Sequence, residues 1–164
     1  AGQFLSNASL EVQAVDYDDD IEDEFMVSGL ADGVMKIALY DNDGTFLVNV
    51  SPFGNSSSIS TARIDADGDF YDDLLVASLQ SFGSPLVINK IGALVGAVTL
   101  NDSGLYGHRV VGVDLDIDGA QDVIVMENVD GGRVSLILSD LKTPFGSFKA
   151  PSFGVANGPY LSAW

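Results

Sequence analysis

Ile64-Asp65-Ala66-Asp67-Gly68-Asp69-Phe70-Tyr71-Asp72-Asp73-Leu74-Leu75-Val76 reads as one apolar residue, then acids at loop positions 1, 3, 5 and 9, then three apolar residues. The same pattern precedes it as Val15-Asp16-Tyr17-Asp18-Asp19-Asp20-Ile21-Glu22-Asp23-Glu24-Phe25-Met26-Val27. It follows again as Val113-Asp114-Leu115-Asp116-Ile117-Asp118-Gly119-Ala120-Gln121-Asp122-Val123-Ile124-Val125. The leading acids Asp16, Asp65 and Asp114 are 49 residues apart, twice over. A fixed period of this size marks one supersecondary unit repeated in tandem. A fainter echo supports it: Phe4, Phe53 and Phe153 each stand eleven residues before Val15, Ile64 and Trp164.

Outward from the loops the chain reads as all-β. Short segments rich in Val, Ile, Leu and Phe predict strands at Leu10–Val15, Phe25–Ser28, Val34–Tyr40, Phe46–Val50 and Leu74–Ala77. Further strands are expected at Leu86–Ile88, Ala93–Leu100, Arg109–Val113, Val123–Met126 and Val134–Leu138. Gly, Asn, Asp and Ser separate them, and Gly131-Gly132 reads as a hairpin turn. No long stretch has helical periodicity. Three to four strands fit each period, the size of one propeller blade or solenoid unit. The expectation is a single repeat domain over residues 1–164, with loops at 16–24, 65–73 and 114–122. It is an incomplete or open, propeller- or solenoid-like array of blade-like repeats.

The loops have the chemistry of an oxygen-only cation site. Alternate residues in a tight loop turn their carboxylates toward one point, as positions 1, 3 and 5 do in an EF-hand. The candidate carboxylates are Asp16, Asp18, Asp20 and Glu24; Asp65, Asp67, Asp69 and Asp73; and Asp114, Asp116, Asp118 and Asp122. The position-7 carbonyls of Glu22, Tyr71 and Ala120 add one oxygen per loop. Such a shell suits Ca²⁺ rather than Zn²⁺, and no His or Cys lies in any loop. Asp-rich turns also arise simply because Asp favours Asx-turns. Three copies in strict period argue for a shared ligand, about three Ca²⁺ per chain.

Charge is distributed accordingly. Of 24 acids, sixteen lie in the three loops, and the other eight nearly balance seven Lys and Arg. The formal net charge is -17, and three divalent ions would bring it to -11. Such a chain is not expected to bind nucleic acid or anionic membranes by bulk attraction. With no cysteine, disulfides and thiolate metal sites are excluded. No apolar run is long enough for a membrane-spanning helix, so no membrane insertion is expected. The chain opens without a signal-like segment, and the expectation is a secreted, cell-surface protein whose signal peptide has been removed.

The loops resemble the Asp-x-Asp-Gly-Asp-Gly-x-x-Asp-Leu segment of the FG-GAP and VCBS repeat families, which include integrin-type β-propeller blades. The second copy, Asp65 to Leu74, is nearest. The resemblance implies Ca²⁺ ligation by the acids at positions 1, 3, 5 and 9. Departures are Asp19, Ile21 and Glu24 in the first copy, Phe70 in the second and Ile117 in the third.

Closing a propeller typically takes about 4–8 blades. Three units leave strand edges and apolar end faces open, which favours association. A ring of two chains, a head-to-tail filament or a piece of a longer chain all fit. The functional expectation is a calcium-stabilised, extracellular structural or adhesive protein that self-associates into a homo-oligomer or polymer. The alternative is a lectin-like module with a glycan or protein ligand. An enzyme is not expected: acids outside the loops are scattered, and the single histidine, His108, lies near a strand start. Sequons at Asn7, Asn49, Asn55 and Asn101 suggest a glycosylated surface. Phe145, Phe148, Phe153, Tyr160 and Trp164 are expected mostly in the core, with some forming an interface or sugar platform.

Overall fold

The computed structural model describes residues 11–16, 22–31, 34–53, 58–66, 71–80, 83–89, 92–100 and 106–152. Every regular element among them is a β-strand. The first sheet holds β1 (Glu11–Val15), β2 (Glu24–Ala31), β3 (Val34–Tyr40) and β4 (Phe46–Val50). The second holds β5 (Ile59–Ile64), β6 (Asp73–Ser78), β7 (Leu86–Ile88) and β8 (Leu94–Ala97). The third holds β9 (His108–Val113), β10 (Asp122–Glu127), β11 (Arg133–Ile137) and β12 (Pro144–Lys149). Each sheet is an antiparallel meander whose strands pair in chain order.

The period seen in the sequence is a period of structure. β2, β6 and β10 begin at Glu24, Asp73 and Asp122, which stand 49 residues apart. Equivalent hydrogen bonds recur at the same offset. The Leu79 N–H donates to the Ser58 carbonyl at 3.1 Å, and the Asn128 N–H donates to the Gly107 carbonyl at 2.7 Å. The turn before the fourth strand recurs as well: Gly44, Gly92 and Leu141 all adopt positive φ there.

The sheets stack face to face, and β6 lies in the middle with all six residues buried. Side chains alternate across a strand, so β6 serves both neighbours. Leu74 and Val76 pack on Met26, Ile37 and Leu39 of the first sheet. Leu75 and Ala77 pack on Val123, Val125 and Ile137 of the third. Strands buried on both faces read as continuous apolar runs, which is the pattern of Leu74-Leu75-Val76-Ala77.

Glycine sets the closest approach. A Cβ on Gly112 would fall 2.2 Å from the Arg63 carbonyl oxygen, and one on Gly107 would fall 2.1 Å from the Leu79 carbonyl carbon. β9 therefore lies directly on the second sheet, and its Val110 N–H donates to the Ser60 hydroxyl at 3.2 Å.

β12 lies where no strand is expected, and β5 takes in Ile59 and Ser60, at the end of a polar run that reads as a loop entering a strand. Of the C-terminal aromatics, Phe145 and Phe148 sit outside the core on β12, an outer edge strand, and each is 54% exposed. Phe153, Tyr160 and Trp164 lie outside the described residues.

Candidate metal centre

In all three sheets the residue before the acidic loop pairs across the ladder with loop position 9. The pairs are Val15 with Glu24, Ile64 with Asp73, and Val113 with Asp122. The strand ladder closes each loop in the same frame. Position 9 is thereby pulled inward: Glu24, Asp73 and Asp122 are 0%, 4% and 1% exposed. Burying a carboxylate without compensation is costly, and a backbone donor supplies part of it. The Leu115 N–H donates to Asp122 Oδ2 at 2.7 Å, and the Ala66 N–H donates to Asp73 Oδ2 at 3.2 Å. A latch from position 2 to position 9 thus recurs in the second and third loops.

The third loop is described in full. It wraps around Asp114, whose Oδ1 accepts the N–H groups of Ile117 at 2.7 Å and Asp118 at 3.2 Å. Its Oδ2 accepts the Gly119 N–H at 3.1 Å. Wrapping this tightly takes left-handed backbone, at Gly119 with φ 92° and at Ile117 with φ 64°. A β-branched residue is rarely found there.

Asp114, Asp116 and Asp122 each bring one carboxylate oxygen to within 4.8 Å of the others. Two oxygens each about 2.3–2.6 Å from one Ca²⁺ lie no more than about 5 Å apart, so the three fit one ion. Asp116 feels the crowding. Desolvation, and after it the carboxylates of Asp118, Asp122 and Asp114, push its pKa above the usual range against a hydrogen bond from the Asp118 backbone. Asp118 stands outside the group of three, and its Oδ1 accepts the Ala120 N–H at 2.8 Å.

The other loops are described in part. Asp18, Asp20, Asp67 and Asp69 lie outside the described residues. Asp16, Asp65 and Tyr71 are half-buried at the loop ends. Glu22 is exposed, and its carboxylate accepts the Asn42 amide from the β3–β4 turn.

One feature is not visible in the acid pattern. Asp72 ties the first two loops together: its Oδ2 accepts the Asp16 N–H at 3.1 Å, and its own N–H donates to the Asp16 carbonyl at 2.9 Å. Arg63 also pairs with it at 3.2 Å. At the same position one period later stands Gln121, whose buried Oε1 has no hydrogen-bond partner among the described residues.

Away from the loops, His108 is buried at the start of β9, opposite Glu127 in the ladder. It lines a small recess with Leu100, Val125, Glu127, Arg133 and Ser135. Burial lowers its pKa, opposed by a hydrogen bond to the Gly83 backbone and by the Glu127 charge. Of the sequons, Asn49 is exposed on β4, while Asn7, Asn55 and Asn101 lie outside the described residues. Among the described residues no helix is long and apolar enough to cross a membrane.

No family model matches the chain, and no curated protein matches it.

Proposed function

We propose that this chain is a calcium-stabilised structural subunit that acts outside the cell and assembles with itself. The observation that carries the reading is the convergence of Asp114, Asp116 and Asp122 within 4.8 Å, in a hairpin loop whose sequence and closing pair recur three times. In this reading each loop takes one Ca²⁺, held by the acids at positions 1, 3 and 9. Position 5 and the position-7 carbonyl close the shell when the ion arrives. The loops are then divergent counterparts of FG-GAP and VCBS loops, arranged as an open row of blade-like sheets. The chain has no catalytic role.

Calcium supplies what a disulfide-free secreted protein lacks, a strong local staple. Extracellular modules bind Ca²⁺ at about 10⁻⁴–10⁻³ M. At a tenfold excess over the dissociation constant, one site adds about 1.4 kcal/mol of stability. Three sites filled together then contribute about 4 kcal/mol, a sizeable share of a typical domain's stability.

The test is titration calorimetry with CaCl₂, joined to light scattering in millimolar Ca²⁺ and then in excess EGTA. About three ions per chain, and assemblies that dissociate or melt earlier in EGTA, are expected. A folded monomer indifferent to EGTA would sink the reading.

A second reading has one observation in its favour. Phe145 and Phe148 stand exposed together on β12, and exposed aromatics form platforms for sugars and proteins. A glycan array on the monomer separates this lectin-like role from the structural one.

A further inference from the structure

Each sheet has two apolar faces, and the stacking uses them in a fixed order. On β6 the face bearing Leu74 and Val76 meets the preceding sheet, and the face bearing Leu75 and Ala77 meets the following one. On β10, Val123 and Val125 again meet the preceding sheet. On β2, Met26 again meets the following one. The contact is therefore heterologous: a following-type face always receives a preceding-type face, twice within one chain.

One period before Leu74 and Val76 stand Phe25 and Val27, on the preceding-type face of the first sheet. Leu74, Val76 and Val123 are 0% exposed and Val125 is 2%, whereas Phe25 is 44% and the neighbouring Val12 is 64%. Val12 pairs directly with Val27, and Phe25 with Tyr40, so these residues share one surface. Of the positions that are core in two sheets, Phe25 is exposed in the first and Val27 is half-buried, with Ala38 buried beside Val27. At the other end, the following-type face of the third sheet carries Ile124 and Leu136, both half-buried, with Met126 and Val134 already covered. Phe148, paired with Val134, is 54% exposed there.

We propose that the exposed face of the first sheet is the seat for the third sheet of a second copy of the chain, added head to tail in the register that joins the sheets within one copy. This rests on the self-association reading and names the surface through which it acts. Heterologous contacts of this kind build rings if the rotation closes and filaments if it does not.

The period also names a pair to test. Val125 and Leu75 share a core cluster. Shifted by the period, they correspond to Val27 of one copy and Ile124 of the next. The chain has no cysteine, so Val27→Cys and Ile124→Cys variants start from a clean background. A bismaleimide spanning about 10 Å matches the spacing of packed sheets. In Ca²⁺, a mixture of the two variants is expected to give cross-linked dimers. Either variant alone gives none, and a chain carrying both gives a ladder. Cross-linking of Val27→Cys with itself would mean a face-to-face dimer and overturns the proposal. So does a mixture that assembles by light scattering yet does not cross-link, as happens if the third sheet's face is closed by its own chain. Both of those outcomes leave the self-association reading standing, while a monomer in Ca²⁺ overturns both. As a second readout, Phe25→Glu is expected to reduce assembled mass to that of the monomer. Its far-UV circular dichroism and calcium stoichiometry should be unchanged, because the side chain is not core. Unchanged assembly in Phe25→Glu overturns the proposal.

Discussion

At the scale of single residues, the third loop combines a legible site with an illegible strain. The acids at alternating positions mark a candidate cation site, and the structure brings Asp114, Asp116 and Asp122 together. Asn in place of Asp116 keeps the shape and removes a charged ligand. Since even residues behind the ligands typically cost about 10–100-fold in metal affinity, Asp116→Asn is expected to weaken calcium binding at this loop by at least about tenfold, read by calorimetry. Ile117 sits at φ 64° and is 89% exposed, so it has backbone strain and almost no packing to offset it. A left-handed L-residue costs about 1–2 kcal/mol, and glycine returns part of that gain as unfolded-state entropy. Ile117→Gly should stabilise the chain by about 0.5–1 kcal/mol, seen as a higher denaturant midpoint. His108 supplies the pH prediction. Its folded pKa is lowered from 6.5, so below 6.5 the unfolded chain takes up the proton more readily. Stability from this group is complete above 6.5 and is lost as pH falls toward the folded value. His108→Gln should remove that part of the acid destabilisation, visible as a smaller loss of melting temperature between about pH 7 and pH 5 than in the parent chain.

At the scale of elements, the strands that bury Val, Ile and Leu on one or both faces are legible, and β3, β4 and β7 fall on their expected bounds. The start of β5 is hard to read because Ile59-Ser60-Thr61-Ala62-Arg63-Ile64 continues the polar run from Asn55. Its small residues reflect what lies on it: Ser60 accepts a β9 amide, and Ala62 is in the core between sheets. β12 is hidden by Pro144 and Gly146, residues that a strand tolerates at an edge. Position 9 shows the limit of reading acids as ligands only. Asp73 and Asp122 also hold the loop mouth through the backbone of position 2. Asp72 looks like one more loop acid but joins two loops, a contact 56 residues apart in the chain. Sheet-to-sheet contact at β9 depends on Gly112. Gly112→Ala forces a methyl against the Arg63 backbone, and overpacking of this kind costs about 1–3 kcal/mol. Equilibrium denaturation should show that loss with calcium binding at the first loop unaffected.

At the scale of the whole molecule, tandem repetition was legible and the order of stacking was not. The period counts the units, but only the structure shows that β6 is enclosed from both sides. Hydrogen exchange should reflect this. The amides of β6 are expected to exchange slowest, and those of β4, β8 and β12, at the outer edges, much faster.

The common closing pair across each acidic loop has a consequence for how such a chain changes length. Glu24, Asp73 and Asp122 each open a strand and end a loop at one invariant spacing. Duplicating or deleting any 49 consecutive residues in the repeated region therefore inserts or removes one whole sheet, one whole loop and one whole junction, wherever the cut falls. Every interface in the longer chain already exists in the shorter one. Unequal recombination thus needs no compensating mutation, and natural variants of this architecture are expected to differ in size by whole multiples of the repeat.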